Sequence, residues 1–357
     1  MEERIIELVT ELVAIPTNER EQAAQEYLAS ILGAAGFECR LQEIAPGRPN
    51  LIAQRGSSGP FLCSHIDVHP PHAHPDPWTV RHEDNVLVGR GVLDAKGQVA
   101  AIVAACEAEP DADACVLITC DEEFSGLGSK HADIPDGPWF THGGIVCEPT
   151  DFRVCTAQMG NVDVHVEASA SPHHAYSVEA GGSPVHAILA VIETLDSCAF
   201  LKAHHPLLPQ PRLNIGRISG GEHAWRAPAH AMLDATMGVV PRTTLVEAES
   251  EVNDRIADLT TRWATRGVVL RGGVSDSSAP IEVPSDLPII ERIGVGSGTS
   301  GMPSWTDAAY LLLHHKLPSV VFGAGELTTA HSDCESVEIA DLVRLAETLR
   351  AVLRSYG

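Results

Sequence analysis

The sequence predicts an α/β chain in two parts: a mixed, largely parallel sheet covered by helices, and a smaller α+β domain inserted into it. Three observations predict this. Short apolar runs alternate with helical stretches over the first ~150 residues, the pattern of strands and crossover helices. Near residue 158 the texture changes, and Asn161-Val-Asp-Val-His-Val-Glu167 alternates strictly, as a half-exposed antiparallel strand does. Apolar runs resume near residue 290, so the first part is discontinuous.

The elements follow in order. Residues 4–16 place Ile5, Leu8, Val9, Leu12 and Val13 at helical spacing, and Pro16 ends the backbone ladder. A second helix is expected over about 20–35, stopped by Gly36. Strands are expected at 50–54, 60–64, 114–119 and 144–147, with a helix over 98–109 between them. The inserted part reads as a strand at 161–167, a helix over 184–195, strands at 212–218 and 229–240, a helix over 245–265 and a strand at 267–271. That order, β-α-β-β-α-β, is a split sandwich. The chain returns at 290–293, 308–313 and 319–322 and closes with a helix over 339–355. The expected boundaries are 1–158 with 273–357 for the main domain, and 159–272 for the insertion.

Composition narrows the partners. The chain has 357 residues, 48 acidic side chains against 24 basic ones, and a formal charge of -24. That charge disfavours nucleic acid and anionic membranes. Nine cysteines occur without a Cys-x-x-Cys, and Cys63, Cys115, Cys120 and Cys147 lie in or beside apolar runs. They read as buried thiols in a reducing cytoplasm, with no disulfide framework. The first residues lack the basic and apolar stretches of a secretory signal, and no run of ~18 apolar residues offers a membrane span.

Five side chains able to bind metal carry the chemistry: His65, Asp94, Glu123, Glu148 and His331. Three of their motifs follow apolar strands directly. Phe61-Leu-Cys63 runs into His65, Val116-Leu-Ile-Thr119 into Asp121-Glu122-Glu123, and Ile145-Val-Cys147 into Glu148. Ligands of open α/β sheets bind at those strand ends. Two imidazoles and three carboxylates can hold two divalent cations if one carboxylate bridges them, and such a pair is a hydrolytic device. The mixed donor set suits zinc, with cobalt or manganese as substitutes.

These motifs resemble those of the M20 metallopeptidases and deacylases, the family of acetylornithine deacetylase, succinyl-diaminopimelate desuccinylase, aminoacylase and glutamate carboxypeptidase. The resemblance rests on His65-Ile-Asp67, Gly89-Arg-Gly-Val-Leu-Asp94-Ala-Lys-Gly97, Asp121-Glu122-Glu123, Glu148-Pro149-Thr150 and Gly323-Ala-Gly325 with His331. It implies a zinc-exopeptidase-like catalytic domain and a ferredoxin-like dimerisation (lid) domain. It implies that Asp94 bridges two metal ions, that His65 and Glu148 complete one site, and that Glu123 and His331 complete the other. Asp67 would orient His65, and Glu122 would be the general base. In the insertion, Pro172-His-His-Ala-Tyr176 resembles a segment that lends a histidine to a neighbouring subunit. His173 is then the expected oxyanion donor across a homodimer, with His174 as competitor and Tyr176 beside the substrate. Family members carry a variable loop after His-x-Asp, and Pro70–Pro77 here, with His69, His72 and His74, is expected as a solvated rim leading to Trp78, with a second metal-binding patch as the alternative.

Two departures bear on substrate. Trp225 stands where the family usually has Asn, and Gly238 where it usually has Arg. Arg226 remains as a candidate carboxylate clamp. Gly298-Thr-Ser-Gly301 and Thr306-Asp307 read as turns near the site. The expected activity is hydrolysis of the amide bond of an N-acyl amino acid, as in acetylornithine deacetylase. The alternatives are a dipeptidase or carboxypeptidase, including release of an amino acid from a γ-glutamyl carrier protein, and a metal-binding module without catalysis.

Overall fold

The computed structural model describes every residue except 72–73, 177–181, 295–297 and 357, so His72 of the expected rim lies outside the described residues. The chain begins with α1 (Glu2–Val13) and α2 (Gln22–Ala34). It continues through β1 (Glu38–Ala45), β2 (Arg48–Arg55), β3 (Phe61–His65), β4 (Arg81–Glu83), β5 (Val86–Val88), α3 (Lys96–Ala108) and β6 (Ala114–Thr119). Short helices α4 (Leu127–Lys130) and α5 (Trp139–His142) precede β7 (Gly144–Val146) and β8 (Cys155–Gln158). Next come β9 (Gly160–Ser169), α6 (Pro184–Asp196), β10 (Leu213–Gly220), β11 (His230–Val239), α7 (Leu245–Ala264) and β12 (Val269–Ser278). The return comprises β13 (Ile281–Glu282), α8 (Pro288–Ile293), β14 (Ser300–Met302), α9 (Ala308–His315), β15 (Ser319–Val321), β16 (Ser336–Glu338) and α10 (Ile339–Arg354).

Two compact units result. One comprises Met1–Thr156, Val283–Met302 and Thr306–Gly357; the other comprises Ala157–Glu282 with Pro303–Trp305. The main sheet of the first has strand order β1-β2-β6-β3-β7-β15-β8. Its centre, β6-β3-β7-β15, is parallel, while β1, β2 and β8 run antiparallel to their neighbours. The parallel strands read as unbroken apolar runs because they are buried on both faces. α3 is buried along Lys96–Cys106 and packs against α1 and α10. α1 buries Ile5, Leu8, Val9, Leu12 and Val13, the five residues expected from spacing. Each such aliphatic side chain contributes ~1.5–3 kcal/mol by leaving water.

The second unit is an antiparallel sheet, β10-β11-β9-β12, with α6 and α7 on one face. β9 alternates as its sequence predicts: Val162, Val164, Val166 and Ala168 turn to the helices. A capping box between Thr244 and Glu247 starts α7.

Some expectations change. β12 extends well past 271, pairing with β9 from Val269–Ser169 to Ser278–Asn161. Gly272 lies inside this strand, where the chain passes against the His165 carbonyl: a Cβ would sit 2.0 Å from that oxygen. The second unit accordingly reaches Glu282, beyond the expected 272. β1 was not anticipated, because as a partly exposed edge strand it carries no apolar run. Ser300–Met302, read as a turn, is a short strand whose Ser300 N–H donates to Val154 O at 2.8 Å.

Candidate metal centre

The parallel strands deliver the chemistry to one end of the main sheet. His65 is the last residue of β3. Glu122 and Glu123 follow β6, Glu148 follows β7, and the loop after β15 leads to His331. Asp94 comes from the loop between β5 and α3. Asp121 adopts a left-handed conformation, φ 61°, which turns the chain sharply after β6. Arg48 holds it there by pairing with its carboxylate.

Asp94 divides its carboxylate between two groups. Oδ1 lies 3.0 Å from His65 Nε2, and Oδ2 lies 3.3 Å from His331 Nε2. His65 Nε2 is also 3.4 Å from Glu148 Oε1, and His331 Nε2 is 2.9 Å from Glu123 Oε2. Two triads therefore share Asp94: His65, Asp94 and Glu148, and Asp94, Glu123 and His331. Ligands about 2.05 Å from a tetrahedral ion lie ~3.3 Å apart, so these spacings suit one ion per triad. Glu148 Oε1 is buried and makes no hydrogen bond, with His65 Nε2 as its near neighbour at 3.4 Å, an arrangement that a cation seated between them would satisfy. The donor set and this orphan oxygen fit a pair of divalent cations. Glu122 stands just outside both triads, its Oε2 3.9 Å from His65 Nε2.

Proton positions make the same point. Burial opposes charge on His65, but Glu148 and Glu122 outweigh it and hold its pKa well above the ordinary value. Burial likewise opposes charge on His331, yet hydrogen bonds to Asp94 and Glu123 raise it to about 10. Burial pushes Glu148 up to about 7 against the pull of His65, and pushes Glu122 well above the carboxylate range. Without added cations, the cluster balances its carboxylates with protons.

Supporting contacts fix the donors. His65 Nδ1 lies 3.0 Å from the Asp67 carbonyl oxygen and 3.5 Å from its carboxylate. An Nδ1–H donated to that carbonyl leaves Nε2 facing the triad, where a bound cation would displace its proton. Asp67 was expected to orient His65 by its carboxylate. The carbonyl is the nearer partner, and the two carboxylate oxygens accept the N–H groups of Glu122 and Glu123, each at 3.1 Å. Asp67 therefore places the expected base as well as the imidazole. His69 joins the site too: its N–H donates to Glu123 Oε1 at 2.9 Å, and its ring stacks on His331 at 4.4 Å. His74, expected on a solvated rim, is buried, and its Nδ1 accepts the Asp76 N–H.

Three further residues escaped the sequence reading. Buried Glu335 accepts from the N–H groups of Gly91, Leu93 and Asp94 at 2.9–3.0 Å and from Arg90 at 2.9 Å. It locks the Asp94 loop to the segment carrying His331. Gln98 donates to the Leu93 and Ala324 carbonyls and accepts from the Ala324 N–H. Asp307, expected only as part of a turn, is buried and accepts from Thr119 Oγ1 at 2.5 Å; burial lifts its pKa to about 6. The spacing His331-Ser-Asp-Cys-Glu335 was a usable signal for Glu335. Nothing local marked Gln98.

The remaining expected residues belong to the second unit. The His173 Nδ1 lies 3.1 Å from the His174 carbonyl oxygen. Arg226 pairs with exposed Glu222 at 3.0 Å. Tyr176 and Trp225 are 73% and 57% exposed and meet edge to face, ring centroids 5.8 Å apart.

Comparison with known proteins gives these features a family. Residues 61–355 match the peptidase family M20/M25/M40. A probable carboxypeptidase of Emericella nidulans is 30% identical, covering 94% of this chain and 86% of its own length. An acetylornithine deacetylase of Proteus mirabilis is 26% identical over 98% of this chain and 96% of its own. A tripeptidase structure from Staphylococcus aureus superposes with a TM-score of 0.81 at 18% identity, covering 100% of this chain and 98% of the other. The match over most of the length, on a chain whose strand ends assemble two triads around one aspartate, leads to one conclusion: this protein belongs to the peptidase family M20/M25/M40.

Proposed function

We propose that this chain is a binuclear metal-dependent hydrolase that cleaves the amide bond of an N-acyl amino acid. One observation carries the reading: Asp94 offers one oxygen to each of two His-carboxylate triads while Glu122 stands beside them unshared. His65 and Glu148 would hold one divalent cation and Glu123 and His331 the other, with Asp94 common to both. Zinc suits the donors best, and cobalt or manganese would substitute. When bound, such a pair polarises a carbonyl and makes water acidic near neutral pH.

The chain's own residues do the rest. Glu122 accepts a proton from the attacking water and returns it to the leaving nitrogen. Cations nearby favour its ionised form, so the raised pKa of the metal-free cluster falls on loading. Asp67 fixes the Glu122 backbone and so the reach of its carboxylate. His173 would donate to the developing oxyanion, with Tyr176 and Arg226 contacting the substrate, and would do so across a homodimer. Exposed Ile215 and Ile218 on the edge strand β10 support pairing through the second unit. Seven buried free thiols support a reducing, cytoplasmic setting, and no helix among the described residues is long and apolar enough to cross a membrane.

A carboxypeptidase reading is favoured by the 30% identical fungal relative, and the two readings differ only in the acyl group. Metal-loaded protein assayed on N-acetyl amino acids, N-succinyl amino acids and dipeptides separates them. Turnover confined to the N-acyl compounds is expected. Turnover confined to peptides would establish the second reading, and no turnover with two metals bound would refute both.

A further inference from the structure

The two imidazole donors of the cluster are held in different ways. His65 ends β3, is buried, and rests its Nδ1 on the Asp67 carbonyl oxygen at 3.0 Å. That is the usual arrangement: a histidine that binds metal through one ring nitrogen is aimed by a hydrogen bond at the other. His331 lacks it. Its side chain is 46% exposed in a loop, and no hydrogen bond at Nδ1 aims the ring among the described residues. Its backbone is left-handed, φ 61°, a region where few residues with a Cβ settle. The contacts from Nε2 to Asp94 and Glu123 are those a cation would take over, so they cannot be what aims the ring in the loaded protein.

His69 supplies the restraint. Its ring lies nearly parallel to that of His331, with 14° between the planes and 4.4 Å between the centroids, a stacked pair. Turning the His331 ring about its Cβ–Cγ bond would break the stack and carry Nε2 away from the triad. The platform is itself fixed. His69 precedes Pro70-Pro71, and a residue before proline is confined to extended backbone. Its N–H donates to Glu123 Oε1 at 2.9 Å, while Glu123 Oε2 faces His331. One residue thus holds two of the three donors in the Asp94, Glu123 and His331 triad: the carboxylate through its backbone and the imidazole through its ring. His69 belongs to neither donor group itself.

We infer that His69 is a positioning residue for the metal site completed by His331: its ring stacks on that imidazole and keeps Nε2 aimed at the cation without ligating it. The inference rests on the two-cation reading above and deepens it, because it gives the two ions different supports. One site depends on a buried carbonyl contact, the other on a stack of two rings.

Substitution at 69 removes the ring and keeps the backbone N–H, so it isolates the stack. Zinc is titrated into the metal-free chain against a chelating dye, in wild type, His69→Ala, His69→Phe, His331→Ala and the His69→Ala, His331→Ala double variant. Wild type should take up two ions. His69→Ala should weaken one of them by roughly 10-fold and leave the other unchanged. The unchanged site reports, in the same molecule, that the variant is folded. His69→Phe keeps an aromatic face and should bind both ions within about 3-fold of wild type. With His331 already replaced, His69→Ala should not alter the remaining site, since the ring has nothing to stack on. Two unchanged sites in His69→Ala, equal weakening of both, or a further loss in the double variant would overturn the inference. So would a loss in His69→Phe as deep as in His69→Ala, which would make the ring nitrogen a ligand. Wild type that takes up fewer than two ions would overturn the two-cation reading and the inference with it. None of these readouts involves turnover, so the identity of the substrate does not enter.

Discussion

The strand-end loops of the first unit and the loops of the second treat their polar residues in opposite ways. Around Asp94, the imidazoles and carboxylates are held by groups that are themselves held. Asp67 ties two backbone amides, Glu335 ties three more and an arginine, and Gln98 ties two loops. Around Arg226, backbone bonds tie Ala175 to Trp225 and Ala227 to His173, while the side chains themselves make only a surface ion pair to Glu222 and an exposed Tyr176–Trp225 contact. Buried, multiply bonded groups are costly to disturb, whereas exposed pairs contribute little. The difference teaches that the donor cluster is preorganised, while the side chains proposed for recognition are exposed and free to adapt.

Breaking the first region should have the largest consequences. Glu122→Gln should lower kcat by about 10²–10⁴-fold, with two metal ions per chain still present by elemental analysis. Activity retained within a few-fold would remove Glu122 from its role. His331→Ala should leave one metal ion per chain instead of two, because the other triad is intact; titration with zinc and a chelating dye measures it. His173→Ala should lower kcat by roughly 10²-fold if it donates to the oxyanion, with metal content unaltered. Unchanged kinetics would pass that role to His174 or Tyr176.

Glu335→Gln sharpens the comparison from the structural side. It breaks a buried ion pair with Arg90, which should cost about 3–5 kcal/mol of stability. It should also loosen metal binding although Glu335 belongs to neither donor triad. By contrast, Trp225→Ala in the exposed region should change stability by no more than ~0.5 kcal/mol. Comparable losses in the two variants, measured by denaturant titration, would erase the distinction between the regions.

The pH dependence has a defined sign. In the metal-free protein His331 titrates near 10 rather than 6.5. A raised folded pKa gives stability that is complete below the unfolded value, about 6.5, and is lost as pH rises through about 10. Metal binding requires the same ring to be neutral, so cations displace its proton. Zinc affinity measured by competition should therefore rise with pH across this window as metal-free stability falls. Affinity that is flat with pH would show that the ring is already neutral in the metal-free chain.

Much of this was legible in the sequence, for physical reasons. His65, Glu123 and Glu148 each stand at the end of an apolar run, because a parallel strand buried on both faces must be apolar until it reaches the site. The α1 helix and the β9 strand were legible from spacing, because one face of each is buried. What escaped lies in contacts between distant segments. Glu335 and Arg90 are 245 positions apart, and neither looks unusual until the fold brings them together. Gln98 lies in a helix buried nearly all round, where periodicity carries no signal. β12 outruns the expected end at 271 through Gly272, where the chain passes against the His165 carbonyl, a close approach between segments distant in sequence.

The most direct test of the account is anomalous scattering from crystals of the cobalt- or zinc-loaded chain, recorded at the metal edge. Two peaks ~3.5–4 Å apart, one on each oxygen of Asp94 and each completed by one histidine, are predicted. A single peak, or two peaks that do not share Asp94, would contradict it.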